Sequence, residues 1–150
     1  MITPSELEAH LGYWLRFVSN HVSHAFALQV EAHGVTVAEW VVLRELYDAG
    51  AMAPSQLAER MGMTRGAITK LADRLIGKGL VTRTARDDDR RFQTLAITAS
   101  GRALVPDLAG LADGNDARFF GHMSGPDRAE LQRLLIGLVR HHDLKTIPTE

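Results

Sequence analysis

The sequence predicts a mainly α-helical domain that carries one small β-hairpin. Apolar residues recur at three- and four-residue spacing along most of the chain, the pattern of helices with one buried face. After Leu80 the pattern switches to short runs rich in Val, Thr, Phe and Ile, LVTRTA and RFQTLAI, separated by DDDR, which reads as two strands and a charged turn. Residues suited to helix caps stand at the joins between segments.

The first helix is expected over 4–33. Thr3 is placed to cap it, Pro4 to take its first position and Glu6 to complete a capping box. Leu7, Leu11, Trp14, Leu15, Val18, Val22, Ala25 and Phe26 then form one broad apolar stripe, ended by His33-Gly34. Such a helix is longer than the average for a globular domain, and a partner subunit would cover what a single small core leaves bare. Thr36 and Glu39 repeat the capping-box signature and open a second helix with Trp40, Val41, Leu43 and Leu46, stopped by Gly50. Pro54 begins a short third helix whose Leu57, Ala58 and Met61 face inward, although Ala53 supplies no capping hydroxyl.

Thr64 caps a fourth helix with Ile68, Leu71, Ala72 and Leu75 on one side, and Gly77 and Gly79 surround its end. Its other side carries Arg65, Gly66, Thr69, Lys70, Asp73 and Arg74. On helix chemistry alone this is either a solvated face or a phosphate-binding one, since a helix N-terminus offers unpaired N–H groups. Beyond the hairpin, Thr98 caps a fifth helix through Leu104, Val105, Leu108, Leu111 and Ala112, which Pro106 should bend or interrupt unless local geometry relieves it. Ser124-Gly125-Pro126-Asp127 starts a sixth with Leu131, Leu134, Leu135, Leu138 and Val139.

Composition limits the function. At 150 residues, 45% hydrophobic and 23% charged, the chain is an ordinary globular domain, 1–150, able to bury its own core. It has no cysteine, which excludes disulfides, thiol redox switches and cysteine-ligated metals. It lacks a signal-type N-terminus and any long uncharged apolar run, so it reads as cytoplasmic with no membrane partner. Neither His21 and His24 nor His141 and His142 come with a compact multi-ligand motif, and no G-x-S-x-G, HExxH, P-loop or dinucleotide fingerprint occurs. No metal, cofactor or enzymatic activity is expected.

Net charge is only −1, yet its distribution is uneven. Between positions 60 and 91 stand Arg60, Arg65, Lys70, Arg74, Lys78, Arg83, Arg86, Arg90 and Arg91, against Asp73, Asp87, Asp88 and Asp89. A basic island in an otherwise acidic chain is the layout of a module with one face for a polyanion. The order short helix, turn, helix, hairpin describes a winged helix-turn-helix core over 36–98, whose fourth helix is slim enough for a DNA major groove. Some modules of this shape bind proteins without specific DNA binding, and that is the alternative.

The stretch LAERMGMTRGAITKLADRLIGKGLVTRTARDDDRRFQTLAITASG resembles the core of the MarR (multiple antibiotic resistance regulator) family, in its leucine-alanine pair, its DRL and KGLV ending and its D, DRR and Thr-Gly wing signature. It departs from the pattern at Ile97, where leucine is usual, and at Asp88, where proline is frequent. The resemblance implies a homodimeric regulator, usually a repressor, on a pseudo-palindromic double-stranded operator, with 4–33 and 99–142 as N- and C-terminal dimerisation helices. It makes 64–76 the recognition helix and implies DNA contacts from Ser55, Thr64, Arg65, Gly66, Thr69, Lys70 and Arg74. In the wing, it implies that Asp89 fixes Arg91 for the minor groove while Arg90 meets phosphate; Asp87 and Asp88 keep the turn solvated. It further implies release by a small aromatic or phenolic effector in a cleft between the dimer helices and the core, with His10, Trp14, Phe17, His21, His24, Trp40 and Arg44 as expected lining. For Trp14, plain packing in the apolar stripe is the competing role, and for the histidines ordinary surface or interface hydrogen bonds.

Overall fold

The structure, a computed structural model, describes residues 1–85 and 93–145. A single 3-10 turn, Leu7–Ala9, precedes α1 (Leu11–Ala32); α2 (Val37–Ala49), β1 (Ala51–Met52), α3 (Pro54–Met61), α4 (Arg65–Gly77), β2 (Val81–Ala85), β3 (Gln93–Ile97), α5 (Ala99–Phe120) and α6 (Gly125–His141) follow. The strands form one antiparallel sheet in the order β1-β3-β2, with Val81 opposite Ile97 and Met52 opposite Leu95. The sheet is therefore three-stranded where a hairpin alone was expected. A two-residue strand directly after Gly50 carries no periodic signal, and only its partner Leu95 reveals it.

The start of the first helix is also corrected. Thr3 caps nothing, and His10, with φ −95° and ψ 125°, breaks the helical ladder before α1 begins. The Trp14 indole donates to Glu8 O at 2.9 Å, so a side chain occupies an acceptor that an uninterrupted helix would offer to its own backbone. Pro106 lies inside α5 without ending it. Its missing N–H costs one hydrogen bond, but Gly101, Val105, Leu108 and Asn115 bury one face of α5 on both sides of the proline and hold the helix in place.

The other caps form as expected. Thr36 Oγ1 accepts from Glu39 N while Glu39 Oε1 accepts from Thr36 N, each at 3.1 Å. Thr64, Thr98 and Ser124 cap α4, α5 and α6 through Ala67, Gly101 and Asp127 N–H groups. At α3, which has no capping hydroxyl, Gln56 Oε1 reaches back to Ala53 N at 3.1 Å and supplies half of a capping box.

The core lies between α2, α4, α5 and the sheet: Val42, Leu43, Leu46, Leu57, Ile68, Leu75, Val81, Leu95 and Leu108 are almost wholly buried. α1 joins it only through its C-terminal half, with Val30 buried and Phe26 packed against it. Leu11, Trp14, Leu15, Phe17 and Val18 of α1 stay exposed, as do Leu134, Leu135, Ile136, Leu138 and Val139 of α6.

The approach of α5 to the end of α4 is close. Gly79, at φ +74°, turns the chain out of α4, and Leu80 N donates to Leu75 O while Gly79 N donates to Ile76 O, the Schellman arrangement. Thr98 fastens α5 to this turn, donating Oγ1–H to Gly79 O at 2.8 Å and N–H to Leu80 O at 3.0 Å. A Cβ at Gly101 would stand 2.3 Å from Leu80 O and 2.9 Å from Ile97 Cγ1. Gly101→Ala is expected to destabilise the fold by about 1–3 kcal/mol, the usual cost of overpacking, read as a lower urea midpoint; an unchanged midpoint would show that the α4–β2 turn yields freely.

Candidate nucleic-acid interface

α3 and α4 meet through a tight turn. Gly62, at φ +63°, ends α3 with Met63 N donating to Ala58 O at 2.9 Å, and Thr64 at once caps α4. Because Ile68, Leu71, Ala72 and Leu75 are buried, the opposite face of α4 must point outward. Arg65, Gly66, Thr69, Lys70, Asp73 and Arg74 are exposed there, and Ser55 and Thr64 are exposed beside them. Thr69 Oγ1 donates to Arg65 O at 2.9 Å, which leaves its oxygen as an acceptor and its methyl group exposed. Gly66 has no internal reason to be glycine: a Cβ there would meet nothing nearer than Thr64 Oγ1 at 3.9 Å. Its smallness leaves room for another molecule's backbone to approach the first turn of the helix.

The basic island divides in two. Arg60 pairs with Glu45 at 2.7 Å, Lys78 with Glu39 at 2.8 Å and Arg83 with Asp73 at 2.9 Å. These three cations tie α3 to α2, the end of α4 to α2, and β2 to α4. Arg65, Lys70 and Arg74 have no ion-pair partner among the described residues, and all three are on the outer face of α4. Asp73, the one acid on that face, is held by Arg83. Asp89, Arg90 and Arg91 lie outside the described residues.

The expected cleft residues are not gathered in one place. Trp40 lines a cavity of about 240 Å³ with Val22, Ser23 and Phe26 of α1 and Ala112, Asn115 and Asp116 of α5. His10, just before α1, and Trp14, Phe17, His21 and His24, exposed on α1, lie outside this lining; Phe17 stacks on His21 with ring centroids 5.3 Å apart. Arg44 bonds Asp48 at 3.0 Å and borders a separate polar cleft with Glu45 and Arg60. Asn115 escaped sequence reasoning. It is buried, donates Nδ2–H to Val22 O at 3.1 Å, and leaves Oδ1 without a hydrogen-bond partner among the described residues. A polar residue on the buried face of an otherwise apolar helix was the available signal.

Comparison with known proteins agrees with this geometry. The MarR family profile matches residues 35–92, which include α2, α3, α4 and β2. Over that segment the chain is similar to the MarR family. The HTH-type transcriptional repressor Rv2887 of Mycobacterium tuberculosis is 28% identical over 128 residues, 85% of this chain and 92% of that protein. The HTH-type transcriptional repressor MdtR of Bacillus subtilis is 42% identical over 72 residues, 48% of this chain and 46% of that protein. The crystal structure of a probable transcriptional regulator from Pseudomonas aeruginosa superposes with a TM-score of 0.76 at 26% identity, covering 89% of this chain and 99% of that one. These similarities support a DNA-binding transcriptional regulator with a winged helix-turn-helix. Among its described residues no group of three or more His, Asp or Glu is placed to hold a metal ion, and no helix is long and apolar enough to cross a membrane.

Glu39 is the one buried charged side chain among the described residues, at 1% exposure. Burial opposes its ionisation, but hydrogen bonds from Lys78 and Thr36 outweigh burial and hold its carboxyl below the ordinary glutamate value. A depressed folded pKa gives stability that is present above the unfolded value, about 4.3, and lost as pH falls through the folded one. The gap in thermal midpoint between the native chain and Glu39→Gln should therefore be widest near neutral pH and shrink on acidification below about pH 4.3. A gap that stays constant down to strongly acidic pH would remove Glu39 from the acid response.

Proposed function

We propose that the chain is a homodimeric repressor that binds a pseudo-palindromic operator and is released by a small donor-bearing aromatic molecule. The observation that carries the DNA reading is the outward N-terminal face of α4, where Arg65, Gly66, Thr69 and Lys70 surround a capped helix start. In this reading α4 enters the major groove. Thr69 and Arg65 meet base edges, Lys70 and Arg74 meet phosphate, and Ser55 and Thr64 position the helix against the backbone. Arg91, aimed by Asp89, enters the minor groove beside it and Arg90 meets phosphate, as the family resemblance implies.

The dimer is supported by apolar surface that one chain leaves bare. Leu11 is 82% exposed, and Leu134 and Leu138 of α6 are near half exposed. Contiguous apolar faces on the first and last helices call for a partner, and a second copy would seat them and space two α4 helices about 34 Å apart on one side of the duplex.

The effector reading rests on the α1–α2–α5 cleft. Phe26 and Trp40 offer ring faces and Asn115 Oδ1 an unused acceptor, while the Asp116 carboxylate is paired with Arg128, and no cation stands among the described lining residues. Such a lining selects a ring that donates an O–H or N–H and disfavours a carboxylate.

Selection of bound fragments from the source genome by the purified protein tests the DNA reading and yields the operator at once. On that operator, Arg91→Ala is expected to abolish tight binding while leaving the dimer folded, and Asp89→Ala to weaken binding although it removes a negative charge. Unchanged affinity for Arg91→Ala, or tighter binding by Asp89→Ala, would overturn these roles. Phenols titrated to millimolar concentration are expected to loosen the native complex, and Asn115→Leu to bind the operator normally but ignore them. Benzoates acting as well as phenols, or an Asn115→Leu protein that responds fully, would sink the proposed chemistry.

A further inference from the structure

Lys78 sits within the basic island and its side chain is 38% exposed, but its ammonium is turned onto the protein. Its Nζ donates to Gly34 O at 2.8 Å and to Glu39 Oε1 and Oε2 at 3.1 and 2.8 Å. An ammonium has three protons, and here three protein acceptors take them. Lys78 is the C-cap residue of α4, Gly34 lies in the turn that ends α1, and Glu39 stands in the first turn of α2. One ammonium thus joins the end of the fourth helix to two other helices. Glu39 is buried among apolar side chains and is itself fixed by the Thr36 capping box, so this anchor cannot drift.

We infer that the junction of Lys78, Glu39 and Gly34 is a positioning device that sets the tilt of α4 on DNA from the placement of α1 and α2. The inference rests on the reading of α4 as the recognition helix. Its lever is geometric. The thirteen residues of α4 span roughly 20 Å, so a tilt of about 5° at the Lys78 end moves Arg65 by about 2 Å. Hydrogen bonds to base edges tolerate only a few tenths of an ångström. The same two helices that hold the ammonium, α1 and α2, also supply Val22, Ser23, Phe26 and Trp40 to the cleft. Any change in their relative placement therefore reaches the outer face of α4 through Lys78. Neither partner needs to touch DNA: Glu39 is buried, and the protons of Lys78 are already engaged.

The sign of one substitution separates this role from a direct phosphate contact. Glu39→Gln keeps an acceptor for the Thr36 N–H but loosens the hold on Lys78. If Lys78 served DNA directly, the loosened ammonium would turn to phosphate and strengthen binding to every duplex. As a positioning junction, its loosening weakens the operator complex alone. Lys78→Met by itself leaves a buried carboxylate unpaired and threatens the fold, so Glu39→Gln/Lys78→Met, which removes both charges together, is the second variant.

Affinity is measured by fluorescence anisotropy for the operator recovered in the genomic selection and for a scrambled duplex of equal length, with thermal unfolding alongside. Both variants are expected to unfold cooperatively and to lose roughly 3- to 30-fold in operator affinity, with little change on the scrambled duplex. Unchanged operator affinity, parallel loss on both duplexes, or tighter binding by Glu39→Gln would overturn the inference. A native chain that does not separate operator from scrambled duplex would instead overturn the reading of α4 on which it rests.

Discussion

The burial of Ile68, Leu71, Ala72 and Leu75 fixes the roll of α4 about its own axis, and the outer face of the helix depends on that roll. Fully burying an aliphatic side chain of this size contributes about 1.5–3 kcal/mol, so rotating this row into water would forfeit more than any surface contact returns. Both ends of the helix are then held. Thr64 caps the start, and the Gly79 turn, fastened by Thr98 to α5, closes the end. With roll and ends determined, Arg65, Thr69 and Lys70 have no inward alternative.

Charge follows from the same constraint. A basic island counted along the chain treats all its cations alike, but the fold assigns them to different work. Arg60, Lys78 and Arg83 join elements to one another, while Arg65, Lys70 and Arg74 face outward. The pair between Arg83 and Asp73 serves both ends: it ties the base of the wing to α4 and neutralises the acid that would otherwise face a polyanion. An exposed pair of this kind adds little to stability and more to orientation.

Around this rigid centre, the outer helices are only half committed to one chain. The C-terminal half of α1 packs on the core while its N-terminal half and all of α6 keep apolar residues exposed. The cleft lies where these regimes meet, between α1, α2 and α5, and Asn115 links two of its walls through the bond to Val22 O. A molecule in that cleft and a partner against α1 would both act on the helix whose terminal turn holds Lys78.

Much of this was legible from residues alone, because caps and periodicity are local. Thr36, Thr64, Thr98 and Ser124 each accept the predicted N–H, and the buried face of α4 is the row read from its spacing. The short strand β1 and the broken start of α1 were not legible, since each depends on a partner distant in sequence or on a side chain, Leu95 or Trp14, whose hydrogen-bonding or pairing role has no periodic signature. Whether Pro106 would bend or interrupt α5 stays open in the sequence because propensity is local, and the burial on both sides that relieves it is not. The sequence by itself determined the helical order, the family resemblance and the polar face of α4, for these follow from residues a few positions apart. Only the tertiary structure decided which cations remain outward, that Lys78 binds Glu39 across 39 positions, and that Asn115 faces α1. Those are distances between elements, and chain spacing does not encode them.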